Sequence, residues 1–108
     1  MREQDIFAAL ASADQEVLAI IAEPFFETVD YDRGQLMQAS AAQDFQGLEI
    51  TAHSLKGVVG HFVMPDLENL LREIENNARL QKQNPAQVHE VIVLLEALER
   101  ALRKYLPA

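Results

Sequence analysis

Apolar residues recur at steps of three and four along nearly the whole chain, and only four glycines and four prolines interrupt them. Alternation of period two over β-branched residues, the mark of a half-buried strand, is missing. A chain patterned this way buries its apolar stripes by packing helix on helix. At 108 residues it has material for one core and not for two, so a single domain over 1–108 is expected.

Ile6, Phe7 and Leu10 predict a short first helix. Asp14 is suited to cap a second, which carries Val17, Leu18, Ile21, Phe25, Phe26, Val29, Leu36 and Met37. Pro24 lies inside that run. It lacks a backbone donor and crowds the preceding turn, so a kink or a break is expected there, and Gly34 weakens the run further. A third helix is expected from Asp44, with Phe45, Leu48, Ala52, Leu55, Val59 and Phe62 as its stripe. Pro65 and Asp66 open a fourth, with Leu67, Leu70, Leu71, Ile74 and Ala78 inward and Glu68, Arg72, Glu73, Glu75 and Arg79 outward. Asn84-Pro85 opens the last helix, whose stripe is Val88, Val91, Ile92, Leu95, Leu98, Leu102 and Tyr105. Its cations Arg100, Arg103 and Lys104 sit near the end where the helix dipole favours them. Short connections between such helices imply antiparallel neighbours. The expected fold is all-α, an antiparallel four-helix bundle with an additional N-terminal helical segment.

Composition removes several functions. The absence of cysteine excludes disulfides, thiolate zinc sites and thiol nucleophiles. With 9 basic against 17 acidic residues the formal net charge is −8, which opposes a nucleic-acid partner. The longest apolar runs, Val17 to Ala22 and Val91 to Leu95, fall far short of the ~20 residues of a membrane span. No basic-then-apolar leader opens the sequence, so a cytoplasmic setting is expected. There is no glycine-rich phosphate loop, triad or paired-carboxylate motif, so an enzyme with its own ATP site is not expected.

The informative segment is Thr51-Ala52-His53-Ser54-Leu55-Lys56-Gly57-Val58-Val59-Gly60. With Ala52 and Leu55 pointing inward, helical geometry turns His53 about 160° away from Leu55. Lys56, Gly57 and Gly60 share the face of the histidine, and Glu49 and Ile50 lie one turn before it. Glycine inside a helix costs roughly 1 kcal/mol relative to alanine, so two on one exposed stripe need a reason. Without a Cβ, another macromolecule can approach the backbone beside His53 closely, and Ile50 adds apolar contact area. A lysine one turn away can offset the charge of a phosphoryl group on the imidazole. A neutral imidazole is itself a competent nucleophile.

Ala52-His53-Ser54-Leu55-Lys56-Gly57 resembles the motif of the histidine-containing phosphotransfer (HPt) domain family. Asp44, nine positions upstream of the histidine, and Phe26 in the preceding long helix also fit, as do Leu67, Leu71 and the Leu70–Glu75 stretch downstream. The likeness runs roughly from Phe25 to Leu80. It departs after the motif helix: Val63 stands where the family usually has a glycine, Met64 where a small residue is common, and His61 where asparagine is frequent. The resemblance implies a phosphocarrier that moves a phosphoryl group between receiver-domain aspartates. Nε2 of His53 would accept the group, Lys56 would help hold its charge, and Gly57 would leave room for the receiver. Response-regulator receiver domains and a hybrid sensor histidine kinase are the implied partners, with the protein acting as a monomer. Magnesium would sit in the receiver's acidic pocket, leaving this chain with no cofactor or metal of its own.

Two other readings compete. Glu49 and His53 are i, i+4 neighbours and might suggest a metal-binding bundle, but di-metal bundles need Glu-x-x-His pairs on two helices, so Glu49 reads better as a solvated residue that can bond His53. The stripe on the last helix could instead serve a partner, as in a non-phosphorylated adaptor or dimerisation module, but a five-helix chain needs that stripe for its own core. His89 reads as a solvated residue at the start of the last helix.

Overall fold

A computed structural model describes residues 3–62 and 64–106. Helix α1 spans Glu3–Ala11, α2 Gln15–Ala42, α3 Phe45–Val59, α4 Pro65–Arg79 and α5 Pro85–Tyr105, and a single 3-10 turn at Gly60–Phe62 follows α3. Among the described residues there is no strand. Val63 lies outside the described residues, and so does the departure from the family pattern expected there.

Local chemistry sets the helix starts. The Asp14 carboxylate accepts from the N–H groups of Glu16 and Val17, and the Asn84 side chain accepts from Ala86. Met64 precedes α4 without a side-chain cap, and Pro65 occupies the first turn, where its missing N–H costs nothing. Between α2 and α3 only Gln43 and Asp44 intervene. Gln43 is left-handed at φ 53°, and its N–H bonds back to the end of α2.

The expected kink or break at Pro24 is not a break. α2 runs through it as one helix of 28 residues. Pro24 and Ile20, whose carbonyl loses its partner, both lie on the solvent side, where water can take the freed acceptor. Val17 and Met37, expected on the core stripe, are 55% and 54% exposed. A helix this long keeps its core contacts on a narrower face than its apolar residues occupy.

α2 packs on α3 and α5, α3 on α4, and α4 on α5, so these four helices form a closed ring, with α1 resting on α5. The apolar core draws on all five helices, from Ile6 and Leu10 through Leu18, Phe25 and Leu36 to Leu95, Leu98 and Leu102. Leu48, Ala52, Leu55 and Val59 are fully buried, which fixes the rotation of α3 about its axis. Truncating one such leucine to alanine costs about 2–5 kcal/mol. Glu75, expected on the outer face of α4, is instead buried at 2% exposure.

Candidate functional site

The site begins with the cap of α3. Asp44 accepts from the N–H of Gly47 at 3.0 Å. A Cβ on Gly47 would lie 2.5 Å from the Asp44 carboxylate and 3.2 Å from Ala39, so a glycine here lets the cap form close against α2. The short connection and its cap set the register of α3, and the buried stripe sets its rotation. Together they turn His53 outward with its side chain 71% exposed.

His53 is anchored from α4. Its Nδ1 lies 2.7 Å from Oε2 of Glu75. The other carboxylate oxygen, Oε1, accepts from Nζ of Lys56 at 2.8 Å. Arg79, one turn along α4, approaches Oε2 of Glu75 at 3.5 Å and donates through Nε to Glu49 at 2.6 Å. The lysine's hydrogen bond is the largest influence holding the Glu75 carboxyl below the usual glutamate range. The hydrogen bond from His53 and the charges of Lys56 and Arg79 add to it, against burial, which pushes upward. An ionised Glu75 can only accept, so the proton between the pair belongs to Nδ1 of the imidazole. The lone pair is then on Nε2, the ring nitrogen that Glu75 does not engage. This is the arrangement of a histidine held in one tautomer as a nucleophile or base.

The ring therefore bonds Glu75 and not Glu49, whose carboxylate is taken by Arg79. Lys56 lies on the α4 side of the histidine, 28% exposed, with its ammonium committed to Glu75. Ile50 is 61% exposed and lines a shallow depression of about 230 Å3 together with Glu49, His53, Glu75 and Arg79. Gly57 is exposed, and a Cβ there would meet nothing within 4 Å. Gly60 is different from the expectation. It ends α3 and starts the 3-10 turn, half-buried, and a Cβ would come 3.5 Å from Glu68. His61 is exposed in that turn and His89 is exposed near the start of α5.

Sequence reasoning assigned no role to Glu75 and Arg79. Their spacing of four on one helix was available as a signal, but nothing in periodicity reveals that a glutamate flanking Ile74 faces cations across a helix seam. A second carboxylate was also missed. Asp32 of α2, 7% exposed, accepts from the Ser54 hydroxyl at 3.2 Å, and burial raises its carboxyl above the usual range.

The family profile described as Hpt domain matches residues 21–104, most of the chain. No curated protein and no solved structure matches significantly.

Proposed function

Because the chain belongs to the Hpt domain family, whose members carry phosphoryl groups in two-component signalling, we propose that it is a relay intermediate with His53 as the acceptor. In this reading the whole chain, 1–108, acts as one domain. The ring of contacts among α2, α3, α4 and α5 supports the antiparallel four-helix bundle that such a carrier needs. The observation that carries the assignment is the bond from Nδ1 of His53 to buried Glu75, which leaves Nε2 with its lone pair on an exposed side chain.

The lone pair of Nε2 attacks the phosphorus of an aspartyl phosphate on a receiver domain. The N–P bond forms as the P–O bond to the aspartate breaks, and the receiver's carboxylate leaves with that electron pair. The imidazole keeps its proton on Nδ1 and gains positive charge, which the Glu75 carboxylate stabilises. Return to a second receiver reverses each step. Lys56 and Arg79 supply cationic charge near the incoming group, Gly57 leaves the receiver room, and Ile50 and Glu49 contribute to its contact area. The receiver brings the magnesium in its own acidic pocket, and this chain brings no cofactor. Family members are phosphocarriers that meet receiver domains and histidine kinases and have no kinase activity of their own. Among the described residues no helix is long and apolar enough to cross a membrane.

The test is incubation with a panel of phosphorylated receiver domains. Transfer should give an acid-labile, base-stable phosphate on the wild type and none on His53→Gln. The variant's stability should lie within about 0.5 kcal/mol of wild type, because the side chain is exposed. Labelling of His61 or His89, or retained labelling of the variant, would overturn the assignment, and no labelling by any receiver would favour the adaptor.

A further inference from the structure

A groove of about 910 Å3 runs between the N-terminal half of α2 and the C-terminal end of α5. Its floor is apolar: Ala22 and Leu102 are buried, and Phe26 and Leu106 are half-buried. Glu16, Glu23 and Glu27, spaced seven and four apart along α2, form an exposed acidic rim. None of the three has a side-chain hydrogen bond or ion pair among the described residues. Among the described residues that line the groove, the one cation is Arg103, and it is already engaged, with its guanidinium 4.8 Å from the centre of the Phe26 ring and 3.3 Å from Glu99.

The groove and the phosphoryl site occupy different faces. Asp32 turns toward α3, where it meets Ser54, while Arg33 turns toward α5, where it meets Glu99 at 3.6 Å. Phe26 lies two helical turns before Arg33 and shares its face. An occupant of the groove therefore sits on the α5 side of α2, away from the α3–α4 pair that holds His53.

We propose that this groove docks the apolar face of a cationic amphipathic helix from another protein, independently of what is bound at His53. Apolar residues at steps of three and four would fill the floor over Ala22, Phe26, Leu102 and Leu106. Lysine or arginine on the α2 flank of that helix would pair with Glu16, Glu23 and Glu27. Pairing with a second copy is disfavoured, since it would bring together two chains that each carry −8 and offer no free cation from the groove to meet the acidic rim. In a relay, such docking would hold the carrier beside its partners and raise their effective concentration while leaving the imidazole free.

The probe is a synthetic amphipathic peptide with leucines at i, i+3, i+4 and i+7 and lysines on one flank. It is titrated into the 15N-labelled 108-residue chain carrying His53→Gln, so that binding is read apart from phosphotransfer. Amide shifts should centre on Ala19, Ala22, Phe26, Leu102 and Leu106. The Glu16→Lys, Glu23→Lys, Glu27→Lys triple variant should bind about ten-fold or more weaker, as should a scrambled peptide of the same composition. Filling the exposed edge with Ala19→Trp should also weaken binding while leaving the amide spectrum of the remaining fold unchanged. Equal binding of the scrambled peptide, shifts centred on α3 and α4, or a dimer of the free protein that Ala19→Trp dissociates would each overturn the proposal.

Discussion

Oε2 of Glu75 lies 2.7 Å from Nδ1 of His53, and the two side chains differ sharply in their surroundings, at 3% and 71% exposure. A buried acceptor thus fixes the tautomer of an exposed ring. The hydrogen bond and the charge can be separated. Glu75→Gln keeps an oxygen that can accept from Nδ1 but removes the charge that, in the proposed relay, would balance a phosphorylated ring. A charge-assisted bond is worth roughly 1 kcal/mol more than a neutral one, so acceptance should slow about five-fold. Glu75→Leu removes both and should slow it about ten-fold or more, with the ring populating both tautomers. Phosphoramidate labelling reads the rate without a receiver, and 15N shifts of the imidazole read the tautomer. A wild-type rate and tautomer in Glu75→Leu would remove Glu75 from the mechanism.

Glu75 and Asp32 should pull stability in opposite directions with pH. The folded-state value of Glu75 is depressed, so its ion pairs contribute fully above the ordinary glutamate value of about 4.3. That contribution is lost as the pH falls through the lower folded value. Asp32 is raised by burial, so the folded state favours its protonated form. Its contribution is fully present below the ordinary aspartate value of about 3.9 and is lost as the pH rises through the folded value. Asp32→Asn keeps an oxygen for Ser54 and should stabilise the protein at pH 7 by about 1 kcal/mol or less, with the gain vanishing in acid. Urea unfolding across the acid range tests both. An Asp32→Asn variant less stable than wild type at pH 7 would mean that the carboxylate is well solvated where it sits.

The outward turn of His53 is legible because helix geometry is rigid: once Leu48, Ala52, Leu55 and Val59 are assigned to the core, the opposite face follows. The caps at Asp14, Asp44 and Asn84 are legible because short polar side chains before apolar runs have few other uses. Glu75 is not. Its burial depends on three partners from two helices, and only their meeting makes a buried carboxylate tolerable. The end of α3 at Gly60 is not legible for a related reason, since periodicity does not say where the helix gives way to a 3-10 turn. Pro24 shows the converse: a strong local breaker is overridden when it and Ile20, whose carbonyl it leaves unpartnered, lie on the solvent side and the flanking residues pack.

The two glycines near His53 should respond differently to substitution. Gly57 is helical, with open space where a Cβ would go, so Gly57→Ala should stabilise by roughly 0.5–1 kcal/mol. Gly57→Glu should leave the fold intact and weaken receiver binding by projecting a charge beside the imidazole. Gly60→Glu brings its carboxylate toward Glu68 and should lower stability. Thermal melts paired with titration against a receiver that labels the protein would decide it. Tight receiver binding by Gly57→Glu would sink the close-approach argument.

Lys56 tests whether, in the proposed relay, a cation would act on the phosphoryl group directly or through Glu75. Its Nζ is 2.8 Å from Oε1 of Glu75, and that bond is the largest influence keeping the carboxyl ionised. Lys56→Ala should therefore move the Glu75 carboxyl back up toward its ordinary range. The acid limb of the labelling profile should shift to higher pH with it. At neutral pH, docking should survive and transfer should slow, by the equivalent of about 1 kcal/mol for a partly exposed pair. Lys56→Arg should restore part of the rate, since a planar guanidinium reaches Oε1 with different geometry from a compact ammonium. The lysine side chain is mostly buried, so salt should screen this pair less than an exposed one. Single-turnover transfer at about 0.05 M and about 0.5 M salt should thus keep most of the difference between wild type and Lys56→Ala. A difference that disappears at high salt, with the acid limb unmoved, would mean that Lys56 acts as a screened surface charge and not through Glu75.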